Sequence, residues 1–177
     1  AIIEYDQRIE DMEQLKIAEV FCSTGGRIGI CRLPGRFGQF AADLDEIRLW
    51  APDTVVTMTT QMEMDQANAA DLGRQLETLG IGWVHLPVAD YGGIGEDNAN
   101  RWSCVSLELQ KILNDGGRVL VHCRGGHGRS GMVALRLLVE QGERPEDAVM
   151  RIREARPGAI ETEEQMAWGK QIFDRLS

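Results

Sequence analysis

The run Val119-Leu120-Val121-His122-Cys123-Arg124-Gly125-Gly126-His127-Gly128-Arg129-Ser130-Gly131 constrains this chain more than any other stretch. An apolar segment of strand length enters a loop with glycines at 125, 126 and 128, and an apolar segment of helix length, Met132–Val139, follows. A strand and a helix that are both apolar must be buried, and a glycine turn between them is a joint of an α/β sheet. In such sheets ligands bind at the carboxyl ends of the strands. There the loop N–H groups and the first turn of the helix converge on one point and favour an anion. Glycine lets the backbone curl that tightly without Cβ clashes. Arg129 adds a planar fork that matches two phosphate oxygens. The run reads as a cradle for a tetrahedral oxyanion.

It is not a nucleotide-binding loop. In the register G-x-x-x-x-G-K-[ST], Cys123 stands where the first glycine belongs and Arg129 where the lysine belongs. A cysteine at the base of the cradle is instead a nucleophile. An environment that favours phosphate also favours the reactive thiolate, which can attack phosphorus and form a phosphocysteine. Arg129 and the backbone N–H groups supply the positive field that a metal would otherwise provide, so no metal or cofactor is called for. Phosphate, sulfate or vanadate would fit the same place.

The rest of the chain supports an α/β fold: a central, mainly parallel sheet with helices on both faces. Ile17–Phe21 and Ile28–Cys31 flank Ser23-Thr24-Gly25-Gly26 and predict a hairpin. Strands are expected at Thr54–Met58, at Val84–Val88 with Pro87 roughening its end, and at Arg118–Cys123. Helices are expected at Ala41–Trp50, Ala67–Leu79 (stopped by Gly80), Arg101–Leu113, Arg129–Gln141, Pro145–Ala155 and Thr162–Leu176. Asp90–Asn98, rich in glycine and acid, is expected to be a loop. With 177 residues and no repeat or linker, residues 1–177 are expected to form a single domain.

Composition narrows the partners. Nineteen basic against 28 acidic residues give a formal charge of −9, which lacks the electrostatic footprint of a nucleic-acid binder. Only Lys16, Lys111 and Lys170 are lysines, so the basic set is nearly all Arg, the residue of bidentate phosphate recognition. No apolar run approaches the ~20 residues of a membrane helix, and no signal segment opens the sequence, so the expected location is cytoplasmic. Cys22, Cys31, Cys104 and Cys123 lack framework or zinc spacing, and reduced thiols are expected, with Cys22, Cys31 and Cys104 in the core.

His122-Cys123-x-x-Gly126-x-x-Arg129-Ser130 resembles the H-C-x5-R-[ST] signature of the protein tyrosine phosphatases, in their dual-specificity branch. Leu33-Pro34-Gly35, His85-Leu86-Pro87-Val88-Ala89-Asp90 and Gly158-Ala159-Ile160-Glu161-Thr162 followed by Gln165 are similar to the kinase-associated phosphatase family, whose members act on a cyclin-dependent kinase. The resemblance implies a tyrosine-phosphatase-like fold and hydrolysis of phosphotyrosine, phosphoserine or phosphothreonine monoesters. It implies Cys123 as nucleophile, Arg129 as the group that binds phosphate and stabilises the transition state, and Ser130 as the aid to thiolate release. Asp90 is implied as the general acid that later activates water, and Gln165 as the residue that orients that water. The phosphate loop would comprise Cys123, Arg124, Gly125, Gly126, His127, Gly128 and Arg129, with His122 supporting it. Arg124 and His127 depart from the kinase-associated pattern, and their positive charge leaves phosphoinositides and other polyanionic phosphomonoesters open as substrates.

Other readings stand beside these. Asp97 and Glu96 share the loop with Asp90 and rival it as acid. Thr162-x-x-Gln165 is a capping box, which explains Gln165 without catalysis. Arg124 reads equally as a solvated loop charge. A rhodanese-type sulfurtransferase also uses a loop cysteine, but the five residues before Arg129 and the adjacent Ser130 favour phosphate. An inactive phosphoprotein-binding module is disfavoured because nucleophile, Arg and acid are all present.

Overall fold

The structure is a computed structural model, and it describes residue 12 and residues 14–171. Five strands form one sheet: β1 (Ala18–Phe21), β2 (Arg27–Cys31), β3 (Thr54–Thr57), β4 (Gly82–His85) and β5 (Arg118–His122), in the order β1-β2-β5-β3-β4. β1 and β2 pair antiparallel as the expected hairpin, while β2–β5, β5–β3 and β3–β4 are parallel. Seven helices are described: α1 (Phe40–Trp50), α2 (Gln61–Gln66), α3 (Leu72–Thr78), α4 (Glu96–Asn114), α5 (Gly128–Glu140), α6 (Pro145–Ala155) and α7 (Glu163–Lys170).

Alternation along the strands divides the core in two. Val119 and Val121 face one layer with Trp102, Leu109, Leu135 and Ile152, whereas Leu120 faces the other with Ile47, Met64, Leu72 and Leu76. A period of two sends successive side chains to opposite faces, so α1–α3 cover one face and α4–α7 the other. Every residue of α5 from Gly128 to Val139 is buried, as expected for a helix that is apolar nearly all round. The parallel register places Cys31, Thr57 and His122 side by side at the carboxyl edge, directly below Cys123.

Several expectations shift. The helix expected over Ala67–Leu79 is two short ones. The capping box of Thr60 with Glu63 starts α2, Asn68 at φ +52° breaks the path, and α3 begins only at Leu72. The strand expected to reach Val88 ends at His85. Leu86 N–H and Val88 N–H still bond to Thr57 and Met58 carbonyls, but Pro87 between them has no N–H to give. α4 begins at Glu96 rather than Arg101, because Glu96 and Asp97 suit a helix N-terminus and Asn98 bonds back to the Pro87 and Ile94 carbonyls. The last helix is described only as far as Lys170, and residues 172–176 of the expected span lie outside the described residues. Cys104 is exposed rather than in the core, since it lies on the outer side of α4; Cys22, Cys31 and Cys123 are buried, and all four thiols are free.

Beside the carboxyl edge, Arg32 makes a fully buried fork to Asp43, with Nη1 2.8 Å and Nη2 3.2 Å from the two carboxylate oxygens. The same Asp43 accepts the Gly35 N–H, and the turn so fixed lets Leu33 N–H bond to the Arg124 carbonyl. Breaking such a pair from one side costs about 3–5 kcal/mol. The turn after β2 thus becomes a rigid wall for the loop after β5.

Candidate active site

The loop after β5 has its carbonyls from Arg124 to His127 engaged by surrounding groups. Arg124 O accepts Leu33 N–H, Gly125 O and Gly126 O accept Nη2 and Nε of the buried Arg156, and His127 O accepts the N–H groups of Gly131 and Ile160. In a trans peptide the N–H points opposite to the C=O. The amides of residues 125–128 therefore turn inward, toward Cys123 and the start of α5. Gly126 has φ +75°, and a Cβ there would lie 2.6 Å from the Cys31 carbonyl, so only glycine fits this curl. The loop curls over Cys123, and Arg156, at the end of α6, is one of its supports. Nothing in the sequence pattern marked that residue.

Cys123 sits at the base, buried, with Sγ 3.3 Å from the buried Ser130 hydroxyl. Behind it, His122 bonds through Nε2 to Thr57 Oγ1 at 2.7 Å, and Trp83 Nε1–H donates to the same oxygen. Burial pushes the His122 pKa down to about 4, and the nearby Arg129 charge acts in the same direction. His122 is thus a neutral, fixed strut.

Arg129 is 1% exposed and its guanidinium is held from outside the cradle. Nη1 and Nη2 each bond to one oxygen of Glu63 at 2.8 Å, Nη1 also donates to the Val88 carbonyl, and Nη2 lies 3.2 Å from Asp90 Oδ1. Burial alone would raise the Glu63 pKa, but the hydrogen bonds from Arg129 and Thr60 outweigh it and the net shift is downward. Burial likewise disfavours the Arg129 charge, and Glu63, Cys123 and Asp90 more than restore it. Its Nε–H, however, is buried without a partner. A buried donor left unpaired is costly, and one beside an anion cradle points to an oxyanion oxygen as its partner. Sequence reasoning missed Glu63. Thr60-x-x-Glu63 was readable as a capping box, but its pairing with a residue 66 positions away was not.

Asp90 closes the mouth, its carboxylate half-exposed and bonded to the Tyr91 N–H. Its rivals Glu96 and Asp97 lie instead in the first turn of α4. Gln165 is fully buried: its Oε1 accepts the N–H groups of Glu161 and Thr162, and its Nε2 donates to Gly92 O in the loop that carries Asp90. The capping box is real, and the same side chain braces the acid loop. Arg124 is exposed at the rim, where Arg36 Nη1 lies 3.4 Å from its carbonyl. Glu161, within the Gly158–Thr162 stretch but with no role expected of it, sets its carboxylate against Gly128. A cavity of about 530 Å³ lined by Phe21, Cys22, Gln141 and Arg151 lies where β1 and α5 end, away from this site.

Residues 45–168 match the family profile described as "PTP-SAK: Swiss Army Knife protein, DSP-PTPase phosphatase domain". The chain is 29% identical to cyclin-dependent kinase inhibitor 3 of Homo sapiens over 185 residues, 99% of this chain and 84% of that protein. It is 41% identical to protein tyrosine phosphatase type IVA 3 of Mus musculus over 94 residues, 50% of this chain and 51% of that one. A solved structure of kinase-associated phosphatase, its catalytic-site cysteine replaced by serine, superposes with a TM-score of 0.76 at 26% identity, covering 88% of this chain and 92% of that one.

Proposed function

This chain belongs to the DSP-PTPase phosphatase family, and from that premise we propose that Cys123 is the nucleophile of a phosphomonoesterase that works through a phosphocysteine. The observation that carries the assignment is the partnerless, buried Nε–H of Arg129 beside inward-turned loop amides and a buried thiol. A phosphoryl group seated there would satisfy that donor and present phosphorus to Sγ. As the S–P bond forms, the ester P–O bond breaks and Asp90 gives its proton to the departing oxygen. The loop amides of Arg124, Gly125, Gly126, His127 and Gly128, with Arg129, bear the charge that builds on the equatorial oxygens. Ser130 stabilises the thiolate when water later releases phosphate. Gln165 holds the acid loop in place.

The substrates we propose are phosphotyrosyl, phosphoseryl and phosphothreonyl groups on proteins, in keeping with the relatives' names. A second reading, small polyanionic phosphomonoesters such as phosphoinositides, draws on the Arg36–Arg124 rim, which suits a second anionic group. The free thiols accord with a reducing, cytoplasmic setting, and among the described residues no helix is long and apolar enough to cross a membrane.

The test is Cys123→Ser against wild type on phosphopeptides and inositol phosphates, with vanadate binding as control. The variant should fall to the background of spontaneous hydrolysis and still bind vanadate, because a serine hydroxyl is not ionised near neutrality. Turnover by that variant above a few per cent of wild type would reject the covalent route.

A further inference from the structure

Four non-glycine residues with positive φ occur among the described residues, and two of them adjoin carboxylates at this site: Tyr91 (φ +60°) follows Asp90, and Ile160 (φ +65°) precedes Glu161. A β-branched residue there is a backbone outlier that costs about 1–3 kcal/mol. Ile160 is buried and tied to the cradle by its N–H bond to the His127 carbonyl, so the strain is held by the site itself. The effect is to swing Glu161 inward. Its N–H is taken by Gln165 Oε1 at 3.0 Å, and its carboxylate lies against Gly128 at the foot of α5. A Cβ on Gly128 would collide with that carboxylate, so the close approach depends on glycine. The residue is otherwise open to solvent at the mouth.

Two carboxylates thus flank the place where phosphorus would sit, braced by one side chain: Gln165 bonds to the backbone of Glu161 and, through Gly92, to the loop of Asp90. Partial burial and the Asp90 charge raise the Glu161 pKa, against the Gly128 N–H and Arg129. A carboxylate whose pKa is raised is the stronger base toward a bound water. Asp90 reaches Arg129 from the mouth and suits the departing alcohol. Gln165 has its amide committed to backbone groups.

We propose that Glu161 is a second catalytic carboxylate, which binds the water that hydrolyses the phosphocysteine and accepts its proton. This rests on the phosphocysteine route given above. The water oxygen bonds to phosphorus, the S–P bond breaks with its electron pair returning to Cys123 Sγ, the water proton passes to Glu161, and inorganic phosphate leaves. Asp90 then serves the first step and Glu161 the second.

The test is pre-steady-state hydrolysis of nitrophenyl phosphate by wild type, Glu161→Ala and Glu161→Gln. In Glu161→Ala kcat should fall by about 10²-fold while kcat/KM, which reports the first step alone, stays within about two-fold. One equivalent of nitrophenolate should appear as a burst, and intact mass should show a trapped phosphoryl adduct. Glu161→Gln, which can hold water but take no proton, should keep the burst with a smaller loss of kcat. A common fall of kcat and kcat/KM without a burst, or unchanged kcat in both variants, would overturn the role of Glu161. Absence of any phosphoryl adduct in quenched wild type would instead overturn the phosphocysteine route itself.

Discussion

The cradle and the arms that bring carboxylates to it are built on opposite plans. The cradle is one continuous segment from β5 to α5, its single positive-φ position is a glycine, and its shape follows from local geometry. The arms come from three separated places: Glu63 on α2, Asp90 after β4, and Glu161 before α7. Two of these are aimed by strained, non-glycine residues, Tyr91 and Ile160. The cradle presents backbone groups, whereas the arms present side-chain carboxylates, of which Glu63 is taken by Arg129. Backbone strain lies beside these carboxylates, and in the loop after β5 the positive φ falls on a glycine.

That contrast is broken most severely by removing a proton donor while leaving the seat intact. Asp90→Asn should cost about 10² to 10⁴ in kcat/KM on alkyl and tyrosyl phosphates but far less on nitrophenyl phosphate, whose phenolate leaves nearly unaided. Asp97→Asn and Glu96→Gln, in the first turn of α4, should leave both rates near wild type. If Asp97→Asn carried the leaving-group dependence instead, the arm would have been assigned to the wrong residue. Equal losses on every substrate would make Asp90 a residue that only positions its loop.

Glu63→Gln sharpens the comparison from the other side. It leaves the Arg129 charge in place but replaces the carboxylate that accepts from both Nη1 and Nη2 at 2.8 Å. The guanidinium should then wander, with kcat/KM falling about ten-fold on every substrate alike, because orientation of the phosphoryl group is lost and no proton donor is. A loss that depended on the leaving group would place Glu63 among the proton-bearing arms.

The same contrast explains what was legible beforehand. Cys123 and Arg129 could be read because a strand, three glycines and a helix encode the cradle within one window; Ser130 entered only through the resemblance. Sheet and helix order were readable wherever elements were long and periodic, as in α1, α5 and α6. α2 was not, since six residues carry little periodicity and its role depends on Arg129, far along the chain. The placement of Arg156 and Glu161 at the site could not be read for a related reason. Their partners are backbone groups of the loop, and a main-chain hydrogen bond leaves no trace in residue type. Asp90 stood out from Glu96 and Asp97 only by resemblance; contact with Arg129 separates them physically.

Behind the cradle the expected effect is on stability rather than on rate. His122 is buried against Thr57 with its pKa pushed down to about 4, while in the unfolded chain it would titrate near 6.5. Between those values the unfolded chain binds a proton that the folded protein refuses, so stability falls as pH drops through that window. The full difference corresponds to about 3 kcal/mol, present above pH ~6.5 and spent by pH ~4. His122→Gln can still bond to Thr57 but has nothing to titrate. Urea unfolding at steps from pH 7 to pH 4 should therefore show a shallower acid slope for the variant, whatever constant offset its changed packing adds. Glu63, whose pKa is lowered, adds its own loss toward acid in both proteins and cancels in the difference. Parallel slopes would mean that His122 accepts a proton without unfolding, and the strut beneath Cys123 would then be a site that responds to pH.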